Sequence, residues 1–508
     1  MTMQNSKSKN NIYQNTVGLW WDSNIYDWHL PPEKNIEMEF FVSGNKKSMN
    51  VKEVMTFIDS FDGVIVTTGL DMLMAYFIWT NNKVKYKLDQ MLEQSKLIPL
   101  DILEDTIAYN YKNIWPAPQS PTTVIESNSP GSKKAQETKT IFHSILDIKV
   151  FYDEIIKHGN YLYGMVYDLF RRIASLFCGW QGIHVDTKTL LQLYKKETKA
   201  IKKDPSKLDD KQYATWYRNI VDIYESVLEN KTIHPAYILD PFGRTYTKAP
   251  NIQILGGAGD SLRSLLVAVK NNSLFYSDAS TANLHPLAEI WRQDYKNSNL
   301  AEDINDPFDL HFRTGVYILY PDKFTEIKEK IAEGVSWITA AKEAGIKNYK
   351  TVRGLGKDIN FAIPNGVSLS TMKLNARTRG FELLDKDYRR FRRQYDIRYP
   401  IEQWSRDGKG YKAAKTVTGR IYFTDRQPKW SSFRIQGTIA DLFSSGIYLA
   451  ALHENQFPAL WIHDSVVYEA RDKTEVSRAI NHFRTLAKDW FPKTKMKFNI
   501  ENLGKQFK

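Results

Sequence analysis

The sequence predicts a mixed protein of the α/β (α+β) class, divided into several domains. Three observations predict it. The chain has 508 residues, enough for two to four domains of ~150 residues each. Short apolar runs of strand type recur at 17–21, 62–67, 274–277 and 460–469. Between them lie longer stretches with helical periodicity, at 71–79, 88–109, most of 153–229, and 322–350.

Composition narrows the class. Apolar residues make up 42% of the chain, so a large core is available. The formal charge is +12 and the isoelectric point about 9.2. Such a basic excess suits a polyanionic partner such as nucleic acid; the plainer source is a lysine-favouring, AT-rich genome. Cys178 is the only cysteine, which excludes an intrachain disulfide and a Cys-based zinc site and points to a reducing, cytoplasmic setting. No fully apolar run reaches the ~20 residues of a membrane span; the best candidate, 64–79, contains Asp71. Residues 1–16 are polar and read as a disordered tail rather than a signal peptide.

Pro116, Pro118, Pro121 and Pro130 mark 116–140 as a linker or long surface loop. Lys195, Lys196, Lys199, Lys202 and Lys203 form either a solvated helix face or a rail for a nucleic-acid backbone. The segment 388–399, YRRFRRQYDIRY, interleaves cations with aromatics, as a template-binding surface or an exposed basic helix would.

The chemistry-bearing segments are fewer. In 460–469, LWIHDSVVYE, two apolar runs flank His463-Asp464-Ser465. That pattern predicts a hairpin whose turn carries a carboxylate able to hold a metal ion; a turn with no further role is the plainer alternative. Asp278 follows the strand-type run 274–277. Two carboxylates at strand ends can converge on a pair of Mg²⁺ ions for phosphoryl transfer. Arg353, Lys357, Phe361 and Asn365 are spaced by four, which makes one slowly drifting helical stripe. Two cations followed by an aromatic plate match the phosphates, then sugar and base, of a nucleoside triphosphate. A basic amphipathic helix with Phe361 in the core fits the same spacing, and Gly354 and Gly356 weaken the helix by roughly 1 kcal/mol each.

These segments together resemble the family A (DNA polymerase I-like) DNA polymerases. RGLGKDINFAIPNG is similar to the family's fingers helix, R-x3-K-x3-F-x3-Y-G. SDASTANLHPLAEI resembles its first catalytic motif, and WIHDSVVYE its last, where most members have His-Asp-Glu. Thr232–Tyr237, Gly243-Arg244-Thr245, Pro250-Asn251-Ile252-Gln253, Arg263, Phe308-Asp309-Leu310-His311 and Gln436–Asp441 follow in the family's order.

The resemblance implies a right hand of palm, fingers and thumb, with an N-terminal RNase H-like domain of the 3′–5′ exonuclease type. It divides the chain into an exonuclease-like domain at 17–175, a thumb at 176–232, a palm at 233–285 and 425–508, and fingers at 286–424. Asp278, Asp464 and the Ala279 carbonyl would hold two Mg²⁺, for which Mn²⁺ can substitute. Arg353 and Lys357 would grip the incoming dNTP, and Phe361 would stack on it. His463, Arg244, Gln436 and Asn251 would touch the DNA primer-template. A monomer with no membrane partner is expected, and the short chain, AT-rich composition and divergence suggest a viral or phage source.

Departures from the pattern bear on specificity. Asn283 stands where the family has the Glu that blocks a ribose 2′-hydroxyl, Asn365 where it has the Tyr contacting that Glu, and Ser465 where it has the last Glu. Pro364 is expected to end the fingers helix. An altered sugar pocket and a compensated silent pair both fit these changes. In the N-terminal part, Asp22, Asp71 and Asp168 resemble remnants of the exonuclease carboxylates. Asn24, Thr67 and Gly164 replace expected motif residues, so the domain reads as degenerate, with little or no proofreading. An active site using other ligands is the alternative.

Overall fold

The computed structural model describes residues 170–507, apart from 172, 180, 228–230, 240–243, 249–250, 255–259, 411 and 425. In the N-terminal part it describes five strands and positions 57 and 60. Asp22, Asp71 and Asp168, the loop at 116–140 and the helix expected at 71–79 lie outside the described residues.

The five N-terminal strands form one mixed sheet. They are β1 (Thr16–Trp21), β2 (Phe40–Val42), β3 (Asn45–Met49), β4 (Val64–Thr67) and β5 (Leu97–Pro99), ordered β3-β2-β1-β4-β5. β1 pairs antiparallel with β2 and parallel with β4, and β4 pairs parallel with β5. The first three residues of β4, Val64-Ile65-Val66, are apolar and β-branched, as suits a strand paired on both sides. The strand at β5 corrects the helical reading of 88–109, at least for Leu97–Pro99. A short apolar run carries no periodicity that separates the two, and here the neighbouring strand decides.

Beyond residue 170 the chain first builds a helical hairpin. β6 (Ile183–Val185) leads into α1 (Thr187–Lys203), and α2 (Lys211–Ser226) returns to β7 (Thr232–Ile233). Asp186 caps α1 by accepting the Thr189 N–H, and Lys202 and Lys203 sit in its last turn, where cations suit the helix dipole. Tyr194 and Tyr224 stack across the hairpin at 4.1 Å. The lysines of α1 are exposed.

A four-stranded antiparallel sheet follows, ordered β14-β15-β11-β16: β14 (Leu460–Ile462), β15 (Ser465–Ala470), β11 (Ser273–Ala279) and β16 (Phe498–Gly504). The hairpin β8 (Ala236–Leu239) and β9 (Thr245–Lys248) and the short β10 (Leu266–Val267) precede it in sequence. Between β11 and β14 the chain is almost wholly helical: α3 (Leu284–Tyr295), α4 (Asn299–Asn305), α5 (Leu310–Leu319), α6 (Phe324–Ala332), α7 (Trp337–Glu343), α8 (Tyr349–Ala362), α9 (Leu369–Thr378), α10 (Asp385–Arg398) and α11 (Ile401–Asp407). The ribbon β12 (Lys412–Lys415) and β13 (Ile421–Thr424) then leads to α12 (Thr438–Glu454), and α13 (Lys473–Trp490) packs on α12 and the sheet.

The helical region has its own core, in which Trp291, Trp404, Leu355, Ile359, Phe391 and Tyr395 are buried together. Each such side chain stabilises the fold by about 1.5–3 kcal/mol through burial. Tyr388, Phe391 and Tyr395 of α10, and Tyr399 just beyond its end, all face that core. Of the two readings of 388–399, the exposed basic helix is the one this arrangement fits, because its rings belong to the core and are not interleaved with the cations on a surface. The rings recur at helical spacing on one side, and Lys386, Arg389 and Arg393 are exposed on the other.

The helical run Gln427–Glu454 is 28 residues long and apolar enough to cross a membrane, contrary to the sequence expectation. In its most apolar window 89% is buried inside the protein, as in a core helix. It includes a π-turn at Phe433–Gly437 that carries the buried Gln436.

Candidate active site

β11 and β15 pair with Asp278 opposite Ser465, so the turn between β14 and β15 abuts the end of β11. The Ala279 N–H donates to the Asp464 carbonyl at 3.1 Å, which fixes the two aspartates side by side. The turn is tight because His463 adopts a left-handed φ of 54°. Two further bonds lock it: Ser465 Oγ donates to the Ile462 carbonyl at 2.8 Å, and Trp461 Nε1 to the His463 carbonyl at 2.9 Å. Ser465 is 2% exposed, so where the family pattern has a carboxylate this chain has a buried turn clasp.

Asp278 is half-buried. Burial first, then the neighbouring Asp464, holds its carboxyl above the usual carboxylate range, and Lys357 counters this. Two carboxylates crowded in a half-buried place form an incompletely compensated negative pair. Their oxygen donors suit a hard divalent cation such as Mg²⁺. Among the described residues no group of three or more metal-type side chains gathers.

Lys357, on α8, lies within electrostatic reach of Asp278 and favours its ionised form. Three of the four stripe residues share the open face of α8 and the fourth, Asn365, does not: Val352, Leu355 and Ile359 are buried, while Lys357 is exposed and Arg353 half-exposed. Phe361 is 37% exposed, which removes the core alternative for that ring. The helix ends at Ala362, two residues before Pro364, as the missing N–H requires. Asn365 therefore lies beyond the helix and is buried. Its Nδ2 donates to the Phe361 carbonyl at 2.8 Å, and its Oδ1 accepts from Ser432 at 3.1 Å. Asn283 is half-buried at the start of α3 without a side-chain capping bond, and the bonds just given commit both ends of the Asn365 amide elsewhere.

Two of the remaining predicted contacts, Arg244 and Asn251, lie on the segment that braces β14. The Trp461 N–H donates to Tyr237 Oη at 2.9 Å, and Gln253 Nε2 to the Trp461 carbonyl at 2.7 Å. Arg244 directly precedes β9, and Asn251 Oδ1 accepts from Thr247 at 3.4 Å. Both thus sit on the segment that grips the residue two before His463. Gln436, in the π-turn, is 8% exposed.

Two residues gain a part that sequence reasoning had not given them. Asp309 caps α5 by accepting the Phe312 N–H at 2.8 Å and accepts Arg353 Nε and Nη2 at 3.1 Å each. His311 is 4% exposed, and its Nδ1 meets Asn360 at 3.2 Å. Burial pushes His311 down to about 4, with Arg353 and Lys357 acting in the same direction. The signal was the Asp-x-His spacing, but its meaning depends on α5 crossing α8.

No family model matches the sequence, and no curated protein is similar to it. Among solved structures, one that it resembles is the POL domain of Pol1 from M. smegmatis in complex with DNA primer-template and dNTP. The TM-score is 0.60 at 12% identity, covering 100% of this chain and 99% of that one. The chain has the fold of that POL domain.

Proposed function

We propose that the chain is a template-directed DNA polymerase that adds dNTPs to a primer 3′-hydroxyl. The observation that carries this is the juxtaposition of Asp278 and Asp464, with Lys357 of the exposed face of α8 within electrostatic reach. In the reaction the primer 3′-oxygen attacks the α-phosphorus, the bond to the bridging oxygen breaks, and pyrophosphate leaves. Arg353 and Lys357 bind the triphosphate, and Phe361 presents its ring to the sugar and base. Asp278, Asp464 and the Ala279 carbonyl would hold Mg²⁺, or Mn²⁺ in its place. Such ions supply charge stabilisation at the attacking and leaving oxygens. His463 meets the primer end. Arg244, Asn251 and Gln436 contact the primer-template, where minor-groove acceptors common to all base pairs report geometry without sequence. In this reading the four-stranded sheet is the palm, α3–α11 the fingers and the α1–α2 hairpin the thumb of a monomer.

The sugar pocket follows from Asn283 and Asn365. With Asn365 bonded to Ser432 and to its own helix, the pocket lacks the family's Glu–Tyr contact, and selection against ribonucleotides is weaker than usual. Single-turnover incorporation of dNTP and rNTP opposite one template base tests this; a strong preference for the deoxy sugar sinks it. A catalytically dead nucleic-acid-binding protein is the rival from another class, and retention of both aspartates and both cations disfavours it. Proofreading is weak or absent, on the strength of Asn24, Thr67 and Gly164. Rapid trimming of a 3′-labelled strand in Mg²⁺ or Mn²⁺, abolished by Asp71→Ala, would contradict that.

A further inference from the structure

We infer that Asp309 is a positioning residue for the incoming triphosphate, acting through Arg353; the inference rests on the polymerase reading above. The carboxylate holds the guanidinium side-on, through Nε and Nη2. The far edge of the fork, with Nη1, is left to present donors to a phosphate in a fixed plane.

The scaffold keeps this geometry from drifting. Asp309 is anchored by its own capping bond to α5. Helices α5 and α8 are pressed together at two glycines. A Cβ on Gly356 would lie 1.8 Å from the His311 carbonyl oxygen, and one on Gly315 2.2 Å from that of Val352. Asp309 and Arg353 thus stand on two rods with no room to slide. Lys357, one turn along α8, has a mobile ammonium, so only the Arg353 contact is oriented in advance.

The test is a double-mutant cycle on primer extension, with KM and kcat for dNTP and melting temperature measured for each variant. Asp309→Asn keeps a capping acceptor of equal rank but loses the charged clamp, and Asp309→Ser is a second variant that keeps the cap. Expected is a rise in dNTP KM of roughly tenfold for Asp309→Asn, with kcat changed less than about twofold. Expected also is no further rise when Asp309→Asn is added to Arg353→Ala. The inference is overturned if Asp309→Asn leaves KM unchanged or lowers it while Arg353→Ala raises it, because Asp309 then only caps the helix or repels the anion. Equal losses of kcat and melting temperature in both backgrounds also overturn it, as a folding effect. If Arg353→Ala itself leaves KM unchanged, the triphosphate role of Arg353 fails, and the positioning role with it.

Discussion

Replacing Gly356 by alanine is expected to destabilise the protein although it improves helix propensity. Ala for Gly in a helix interior is worth about 1 kcal/mol in favour of the helix. Against this stands the crossing of α8 with α5. The new Cβ would lie 1.8 Å from the His311 carbonyl oxygen and 2.8 Å from the Gly315 nitrogen. Both are backbone atoms, so relief requires a whole helix to move by more than an ångström. Overpacking of this kind typically costs 1–3 kcal/mol, and a backbone clash belongs at the upper end, leaving a net loss of roughly 1–2 kcal/mol. Gly354→Ala is the matched control. Its Cβ would meet Arg379 Nη1 at 2.6 Å, the end of a flexible side chain, so the propensity gain should survive there. Urea midpoints of the two variants provide the comparison, and dNTP KM should rise only for Gly356→Ala, as Arg353 and Lys357 shift. A Gly356→Ala protein as stable as Gly354→Ala would refute the crossing argument.

Two predictions concern ionisation. Burial and Asp464 raise the Asp278 carboxyl, so the stability from its proton is present below the unfolded-state value and lost as pH rises through the folded one. Ionised Asp278 therefore opposes folding at neutral pH. Asp278→Asn should raise the melting temperature near pH 7.5, with a gain that shrinks in acid, and millimolar Mg²⁺ should stabilise the wild type but not Asp278→Asn/Asp464→Asn. His285 is buried against Thr494 (2.8 Å), and burial pushes it down from 6.5 to about 4. The unfolded state binds the proton more readily, so stability is lost as pH falls from 6.5 toward about 4, by up to about 1.4 kcal/mol per pH unit. Denaturant midpoints across that range should slope less for His285→Gln; an unchanged slope would exclude this histidine as the source.

Much of the site was legible because the sequence carries it locally. The four-residue spacing of Arg353, Lys357 and Phe361 needs only a helix, and Pro364 tells where that helix stops. The His463 turn is readable from its two apolar flanks. What was not legible depends on the partner element. Gly356 looked like a weakness in a helix and is its crossing point with α5. Arg353 read as a free cation, yet it is clamped by a residue 44 positions earlier, which only the helix crossing brings near. The aromatics of α10 had core spacing in plain view, but the interleaved arginines suggested a surface. Leu97–Pro99 is a strand because β4 lies beside it, a fact no three-residue window contains.

The central claim is that Asp278 and Asp464 form one phosphoryl-transfer centre. Single-turnover extension of a primed template by the wild type, Asp278→Asn and Asp464→Asn, with primer-template affinity measured in parallel, tests it most directly. Expected are dNTP-dependent extension by the wild type and a loss of about a thousandfold or more in either variant, with DNA binding retained. Extension at near wild-type rate by either variant would contradict it.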